Sequence, residues 1–141
     1  MKNEIKFNSA VSRVALMKNP PYTEKALLAG WGYIDEVKSI SGKKLKAVDQ
    51  LVWQTADCNK ILKAKHEGLL CVSSLDKQEH ASKGDSGSAL IVRNYIQIGL
   101  VSFKTVQRPI VYYSDTGYYY DWIKQAANFI FCGHPEGRFF F

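Results

Sequence analysis

Short runs of residues that favour β-strands, separated by glycine, serine, asparagine and lysine, occupy most of the chain. Runs rich in aliphatic, β-branched and aromatic residues and bounded by turn-forming residues are typical of strands. The predicted strands cover residues 25–33, 45–54, 69–72, 89–92 and 96–103. Asn94 predicts a hairpin between the last two strands, because asparagine tolerates the left-handed conformation of tight turns. The pattern therefore favours an all-β barrel or sandwich.

Two segments follow a helical pattern instead. Thr55 is predicted to cap a short helix through residue 65, and Asp115 or Thr116 is predicted to cap a longer one through residue 130. In the longer segment, apolar side chains recur at the spacing of one helix face. These side chains belong to Tyr119, Trp122, Ile123, Ala126 and Ile130. We interpret this stripe as core packing.

Composition predicts one folded domain. Among 141 residues, 46% are hydrophobic and 23% charged, which is enough apolar material for a sizeable core. The formal net charge is +6, but the densest basic group, Lys43, Lys44 and Lys46, follows a Ser-Gly turn and is interpreted as a solvated loop and strand edge. No nucleic-acid site is predicted. No membrane contact is predicted either, because no stretch approaches the ~18 apolar residues of a membrane span.

The stretch KGDSGSAL, residues 83–90, presents a candidate nucleophile. Ser86 lies between Asp85 and Gly87. A serine hydroxyl becomes a strong nucleophile only when an adjacent base activates it, and an isolated Gly-Asp-Ser-Gly is also a good turn sequence. The motif alone therefore leaves both a catalytic and a purely structural interpretation open.

The surrounding motifs favour the catalytic interpretation. In chain order they are AGWG at 29–32, Cys58 and Cys71, GDSGSAL at 84–90, GLVSF at 99–103, RPIVYY at 108–113 and DWIKQ at 121–125. Their order and spacing resemble the C-terminal half of the chymotrypsin/trypsin-like serine endopeptidases, peptidase family S1. The resemblance implies the second six-stranded antiparallel β-barrel of the chymotrypsin-like double barrel, followed by a C-terminal helix. It assigns residues 1–131 to a trypsin-like protease domain and leaves residues 132–141 as an unmatched tail.

The resemblance also implies catalytic roles for individual residues. Ser86 matches the nucleophile of proteolysis through an acyl-enzyme, and the N–H groups of Gly84 and Ser86 match the oxyanion hole. Asp85 matches the carboxylate that pairs with the N-terminal ammonium freed by zymogen cleavage.

The expected specificity pocket departs from the family pattern. Ser102, Phe103 and Lys104 stand where the family usually has Ser-Trp-Gly, Ile110 stands where glycine is usual, and His80 stands at the pocket floor. Larger side chains in place of two glycines predict a narrowed or occluded pocket. A histidine floor lacks the fixed negative charge that selects Arg or Lys, so trypsin specificity is not expected. An exposed loop histidine without a selective role is the alternative for His80.

The cysteines imply an oxidising environment. By the resemblance, Cys58 and Cys71 form a disulfide, which predicts a secreted, extracellular protein. Cys132 is left over and predicts a bridge to a partner chain or a free thiol. Cys132 and His134 together supply too few ligands for a zinc site, so neither a metal nor a cofactor is expected.

The general base is missing from the matched motifs. In this family the histidine and its orienting aspartate lie on the first barrel, and His66, His80 and His134 match neither position. We therefore expect an N-terminal barrel and a signal peptide in an upstream segment. The 141-residue chain alone is expected to be almost inert, since loss of the base costs on the order of 10⁶ in kcat.

Three functional hypotheses follow. The first is the C-terminal portion of a secreted serine endopeptidase that cleaves protein or peptide substrates. The second is a non-catalytic protease homologue that binds a protein partner. Lys104, Ile110 and Ser82, which replaces a pocket cysteine, favour it, whereas the intact Gly-Asp-Ser-Gly motif disfavours it. A free-standing half-barrel with its own function is the third.

Overall fold

A computed structural model of the protein describes residues 5–63, 65–74, 80–105 and 110–132. Its elements are β1 (Ala15–Leu16), β2 (Lys25–Gly30), β3 (Tyr33–Asp35), β4 (Ile40–Ser41), β5 (Lys46–Val52), α1 (Thr55–Leu62), β6 (Leu69–Ser74), β7 (Ala89–Val92), β8 (Ile96–Lys104), β9 (Ile110–Asp115) and α2 (Tyr120–Cys132). The predicted domain boundary falls in the last turn of α2. The remaining residues of the unmatched tail, 133–141, lie outside the described residues.

Six strands close into an antiparallel barrel. They pair in the order β8, β7, β2, β5, β6 and β9, and β9 pairs back with β8. The short β1 adds to β8 in parallel, with Ala15 opposite Ile96. The closed barrel and its following helix confirm the predicted fold.

Two groups of buried side chains fill the barrel and its flank. Inward-facing aliphatic side chains from every barrel strand form the main core; its most buried members include Leu28, Val52, Leu70, Leu90, Ile98 and Val111. A smaller cluster contains Ile110, Tyr112 and the Cys58–Cys71 disulfide, which confirms the predicted pairing. The disulfide links α1 to β6 and closes a loop with a sequence separation of 13. In the chain-entropy account, a disulfide that closes a loop of this length stabilises the folded state by about 3 kcal/mol.

The turn between β7 and β8 forms as predicted. Arg93 and Asn94 have positive φ angles of 53° and 67°. Two consecutive residues of this kind make the tight turn whose twist matches that of the flanking strands.

The predicted capping roles are wrong, although α1 begins at Thr55. Thr55 is the first helical residue, and Gln54 is the N-cap without a side-chain hydrogen bond. The Thr55 hydroxyl instead shares a hydrogen bond with the Tyr22 hydroxyl, at 2.8 Å, so a tertiary contact replaces the cap. The helix α1 also ends earlier than predicted, with Lys63 in the left-handed conformation. Asp115 accepts hydrogen bonds from N–H groups of the turn that precedes α2, and the helix begins only at Tyr120.

The interpretation of the α2 stripe as core packing is wrong for its largest members. Trp122 is 68% exposed and Ile130 is 67% exposed, and Tyr119 is also exposed. Ile123 and Ala126 are only half-buried. Only part of the apolar face of α2 is therefore covered, and the rest is open to solvent. Neither helix in the described part of the chain has the length and apolar character needed to cross a membrane.

Candidate active site

The loop that precedes β7 exposes Ser86 and buries Asp85. Gly84 and Gly87 flank these residues with φ angles of +97° and +83°. Residues with side chains rarely adopt such angles, which explains the glycines of the motif. At Gly84 a side chain would also meet Gly32, whose Cα lies 3.2 Å from the ideal Cβ position.

Two backbone N–H groups of this loop have no acceptor among the described residues. They belong to Gly84 and Ser86. From residue 82 to residue 88 the other N–H groups are all donated to oxygen atoms; they belong to Ser82, Lys83, Asp85, Gly87 and Ser88. The loop is therefore hydrogen-bonded except at two donors next to an exposed serine. Free donors of this kind can stabilise negative charge that develops on an oxygen atom.

The Asp85 carboxylate joins the AGWG stretch to the loop that carries Ser86. Its Oδ1 accepts the Gly32 N–H at 2.8 Å, and its Oδ2 accepts the Ser82 N–H at 2.9 Å. A Cβ added at Gly30 or Gly32 would overlap the carboxylate. Both glycines are thus required by the buried position of Asp85, a role that the sequence motif did not reveal.

A cavity of about 290 Å³ lies beside Asp85. Its polar lining includes Glu36, His80 and Ser82, and its apolar lining includes Leu28 and Val48. His80 is half-buried, and its Nδ1 lies 3.1 Å from the Ala81 carbonyl oxygen. The histidine predicted for the pocket floor therefore lies in the wall of this cavity.

The strand predicted as the pocket wall brings an aromatic pair together. Phe103 stacks on Tyr112 of β9, with ring centroids 4.5 Å apart and an interplanar angle of 16°. A register shift between Val101 and Phe103 sets Phe103 directly opposite Tyr112. Ile110 is buried in the same cluster as Tyr112, whereas Ser102 is exposed. The Phe103 ring thus covers one face of the Tyr112 ring.

Lys104 forms an ion pair with Glu36 of the segment that follows β3. The Lys104 Nζ lies 2.5 Å from Glu36 Oε1, and the side chains are 23% and 32% exposed. The same oxygen accepts the Lys83 N–H at 3.1 Å, next to Gly84. The Lys104 hydrogen bond holds the pKa of Glu36 below its ordinary value, against the opposing effect of burial.

Sequence reasoning missed Glu36. The pair spans 68 residues, so no local pattern connects its members. The available signal was Lys104 itself, because a partly buried ammonium group needs a carboxylate to pair with.

The described site contains no general base for Ser86. His66 and His80 are the histidines within the described ranges, and neither makes a hydrogen bond with the Ser86 hydroxyl. The described residues also contain no cluster of three or more His, Cys, Asp or Glu side chains that could bind a metal ion. The arrangement can stabilise an oxyanion next to a hydroxyl group, but proton removal from that hydroxyl has to come from elsewhere.

Comparisons with known proteins identify the family. The family model described as Trypsin matches residues 1–123. Trypsin eta of Drosophila melanogaster is 30% identical over 119 residues, covering 80% of this chain and 45% of that protein. Kallikrein-7 of Homo sapiens is 32% identical over 108 residues, covering 74% of this chain and 42% of that protein. The chain belongs to the trypsin family of serine proteases, which confirms the predicted resemblance.

A structural comparison supports the same fold. The structure of neuropsin, a serine protease expressed in the limbic system of mouse brain, matches with a TM-score of 0.80 and 22% sequence identity. The match covers 89% of this chain and 58% of that one. The chain spans less than half the length of the curated relatives that it matches.

Proposed function

We propose that this chain carries the nucleophile and the oxyanion hole of a serine endopeptidase. Ser86 is the nucleophile, and the N–H groups of Gly84 and Ser86 are the oxyanion donors. The observation that carries this proposal is that the N–H groups of Gly84 and of the exposed Ser86 have no acceptor among the described residues, whereas the neighbouring N–H groups of the loop are all bonded.

The mechanism follows from these donors. The Ser86 hydroxyl attacks the carbonyl carbon of a peptide bond while a general base accepts its proton. The carbonyl oxygen becomes negatively charged and is stabilised by the two N–H groups. The protonated base then gives its proton to the leaving nitrogen as the C–N bond of this intermediate breaks. The amine departs, and an ester remains on Ser86, which water then hydrolyses. In this proposal the base and the carboxylate that orients it belong to a first barrel, which is not among the described residues.

The Asp85 cavity fits an activating ammonium group. Both carboxylate oxygens accept backbone N–H groups, and a cavity with partly apolar walls opens beside them. An N-terminal ammonium released by cleavage would pair with this buried charge, while its first side chain would contact the apolar wall. Such pairing would tie activation to the loop that carries Gly84 and Ser86.

The proposed complete protein is larger and extracellular. Exposed apolar side chains on β8 and α2, including Leu100, Trp122 and Ile130, fit burial against a first barrel. The Cys58–Cys71 disulfide supports an oxidising, secreted setting. Protein or peptide substrates follow from the family.

A non-catalytic homologue that binds a protein partner is the second candidate. The Lys104–Glu36 ion pair and the packing of the buried Ile110 occupy positions where the family usually has glycine. These contacts favour the non-catalytic homologue. The N–H groups of Gly84 and Ser86, which have no acceptor among the described residues, favour the enzyme.

Binding of a peptide boronate to the complete, isotope-labelled protein tests the enzyme proposal. A boronate that bonds to the Ser86 oxygen places an oxygen in the oxyanion hole. The backbone N–H resonances of Gly84 and Ser86 are therefore expected to move downfield, because only these donors gain a new acceptor. The Gly87 and Ser88 resonances are expected to move little, since those groups are already bonded.

The matched control is Ser86→Ala, which removes the oxygen that bonds to boron. No adduct with the unsubstituted protein, or an adduct that leaves the Gly84 resonance in place, would contradict the proposed oxyanion hole and favour the non-catalytic alternative.

A further inference from the structure

The backbone of Lys83 connects the candidate oxyanion hole to β3 and the turn that follows it. The Lys83 N–H group donates to Glu36 Oε1 at 3.1 Å, and the Lys83 carbonyl oxygen accepts the Tyr33 N–H at 2.8 Å. The neighbouring Ser82 hydroxyl donates to the Tyr33 carbonyl oxygen at 2.5 Å. Hydrogen bonds on both sides of Lys83 therefore fix the backbone immediately before Gly84.

The Lys83 carbonyl group and the Gly84 N–H group belong to the same peptide unit. The described backbone contains no cis peptide bond, and in a planar trans unit the N–H points away from the C=O. The Tyr33 N–H holds the carbonyl oxygen on one side, so the Gly84 N–H points to the other side, where it has no acceptor among the described residues. The direction of this donor therefore depends on the contacts that hold Lys83.

Glu36 makes its contact with Lys83 through a side chain that is itself held by Lys104. Its Oε1 atom accepts hydrogen bonds from the Lys104 ammonium and from the Lys83 N–H. The Lys104 hydrogen bond keeps the pKa of Glu36 below its ordinary value, so the carboxylate is ionised at neutral pH. Because an ionised acceptor bonds a backbone N–H more strongly than a neutral one, the ion pair strengthens the Lys83 contact.

We propose that Glu36 is a positioning residue for the oxyanion hole: held by Lys104, it fixes the Lys83 backbone so that the Gly84 N–H points at the developing oxyanion. This inference rests on the proposed function, which makes the Gly84 N–H an oxyanion donor. Glu36 acts through the backbone of Lys83 and has no chemical role of its own in the reaction.

The second oxyanion donor is held by a different contact. The Ser86 N–H shares its peptide unit with the Asp85 carbonyl oxygen, which accepts the Ser88 N–H at 2.9 Å. Loss of the Glu36 carboxylate is therefore expected to disturb the Gly84 donor and to leave the Ser86 donor in place. This asymmetry distinguishes a positioning role from a general loosening of the loop.

The rate at which a fluorophosphonate probe labels Ser86 in the complete protein tests the inference. The phosphonyl oxygen gains negative charge as the Ser86 oxygen attacks phosphorus, so oxyanion donors accelerate this step. Glu36→Ala is expected to lower the limiting labelling rate about tenfold and to leave the half-saturating probe concentration unchanged. The loss is smaller than the roughly 10²–10³-fold cost of removing a donor, because Tyr33 still holds the Lys83 carbonyl oxygen.

Two variants separate positioning from other effects of substitution. Glu36→Gln keeps an oxygen that can accept the Lys83 N–H, so its rate is expected to fall by no more than about threefold. Asp35→Ala is the matched control, because it removes a neighbouring carboxylate of similar exposure, 34%, that bonds to the Lys38 N–H of its own turn. We expect this variant to be labelled as fast as the unsubstituted protein. Thermal unfolding checks that each variant folds.

The peptide boronate adduct gives a spectroscopic readout of the same inference. In Glu36→Ala, boronate binding is expected to move the Gly84 N–H resonance downfield by less than in the unsubstituted protein. The Ser86 N–H resonance is expected to move equally in both proteins. Lys104→Met leaves Glu36 without its partner and is expected to reduce the Gly84 shift in the same direction.

The outcomes distinguish this inference from the proposed function. If the unsubstituted protein is labelled at Ser86 and Glu36→Ala is labelled equally fast, Glu36 is not a positioning residue. Equal losses in Glu36→Ala and Glu36→Gln, or a Gly84 shift that falls together with the Ser86 shift, would overturn the inference as well. An unsubstituted protein that is not labelled at Ser86 would refute the proposed function itself, and the inference with it.

Discussion

Replacing Ser86 by alanine is expected to lower kcat of the complete protein by about 10⁶-fold. The substitution removes the oxygen that forms the acyl-enzyme, and the remaining oxyanion donors give only residual catalysis. Hydrolysis of a peptide ester, followed over hours at high enzyme concentration, measures the loss. The 141-residue chain alone is expected to be as inactive as the variant, because its described residues place no base at Ser86.

Ser88→Ala is the matched control for this loss. Ser88 lies two residues from Ser86, is half-buried and keeps its backbone N–H bonded to the Asp85 carbonyl oxygen. Its hydroxyl has no proposed chemical role, so this variant is expected to retain activity. If Ser86→Ala hydrolysed the ester at the rate of the unsubstituted protein, another residue would have to be the nucleophile.

Gly32→Ala is expected to lower the free energy of unfolding by about 3 kcal/mol. The new Cβ would lie within 3.0 Å of all three terminal atoms of the Asp85 carboxyl group. Displacing the carboxylate leaves the N–H groups of Gly32 and Ser82 without their acceptor, and each unpaired buried group costs roughly 1–3 kcal/mol. Urea unfolding of the chain measures the difference.

Gly42→Ala separates this effect from the ordinary consequence of replacing a glycine. The nearest atom to a Cβ at Gly42 is the Lys44 carbonyl oxygen, at 3.2 Å, and the next, on Ile34, is 3.5 Å away. We expect a change below about 1 kcal/mol there. Equal losses at Gly32 and Gly42 would contradict the assigned role of Gly32 in holding Asp85.

The fold was predictable because its signals are local or ordered along the chain. The strand over Ala89–Val92 has the predicted bounds, and Asn94 forms the predicted turn, since both depend on neighbouring residues. The disulfide followed from the family resemblance and is confirmed. The strand β9, Ile110–Asp115, was not among the strands predicted from periodicity, because it is buried along most of its length and does not alternate.

Contacts between distant segments were not predictable. The hydroxyl of Thr55 bonds to Tyr22 rather than capping α1, and Glu36 pairs with Lys104 across 68 residues. The exposure of Trp122 and Ile130 depends on how much surface the barrel offers to α2, which periodicity does not contain. Periodicity indicates which face of a helix is apolar, but the packing partner decides whether that face is buried.

The most direct test of Ser86 as an activated nucleophile is covalent labelling with a fluorophosphonate probe. Such probes react with serines that a base has activated, so the complete, folded protein is expected to be labelled at Ser86. The Ser86→Ala variant is expected to remain unlabelled. Labelling that maps to Ser86 and disappears in the variant would establish the acyl-transfer site. A demonstrably folded complete protein that the probe does not label at Ser86 would contradict the enzyme function and leave the binding homologue as the better explanation.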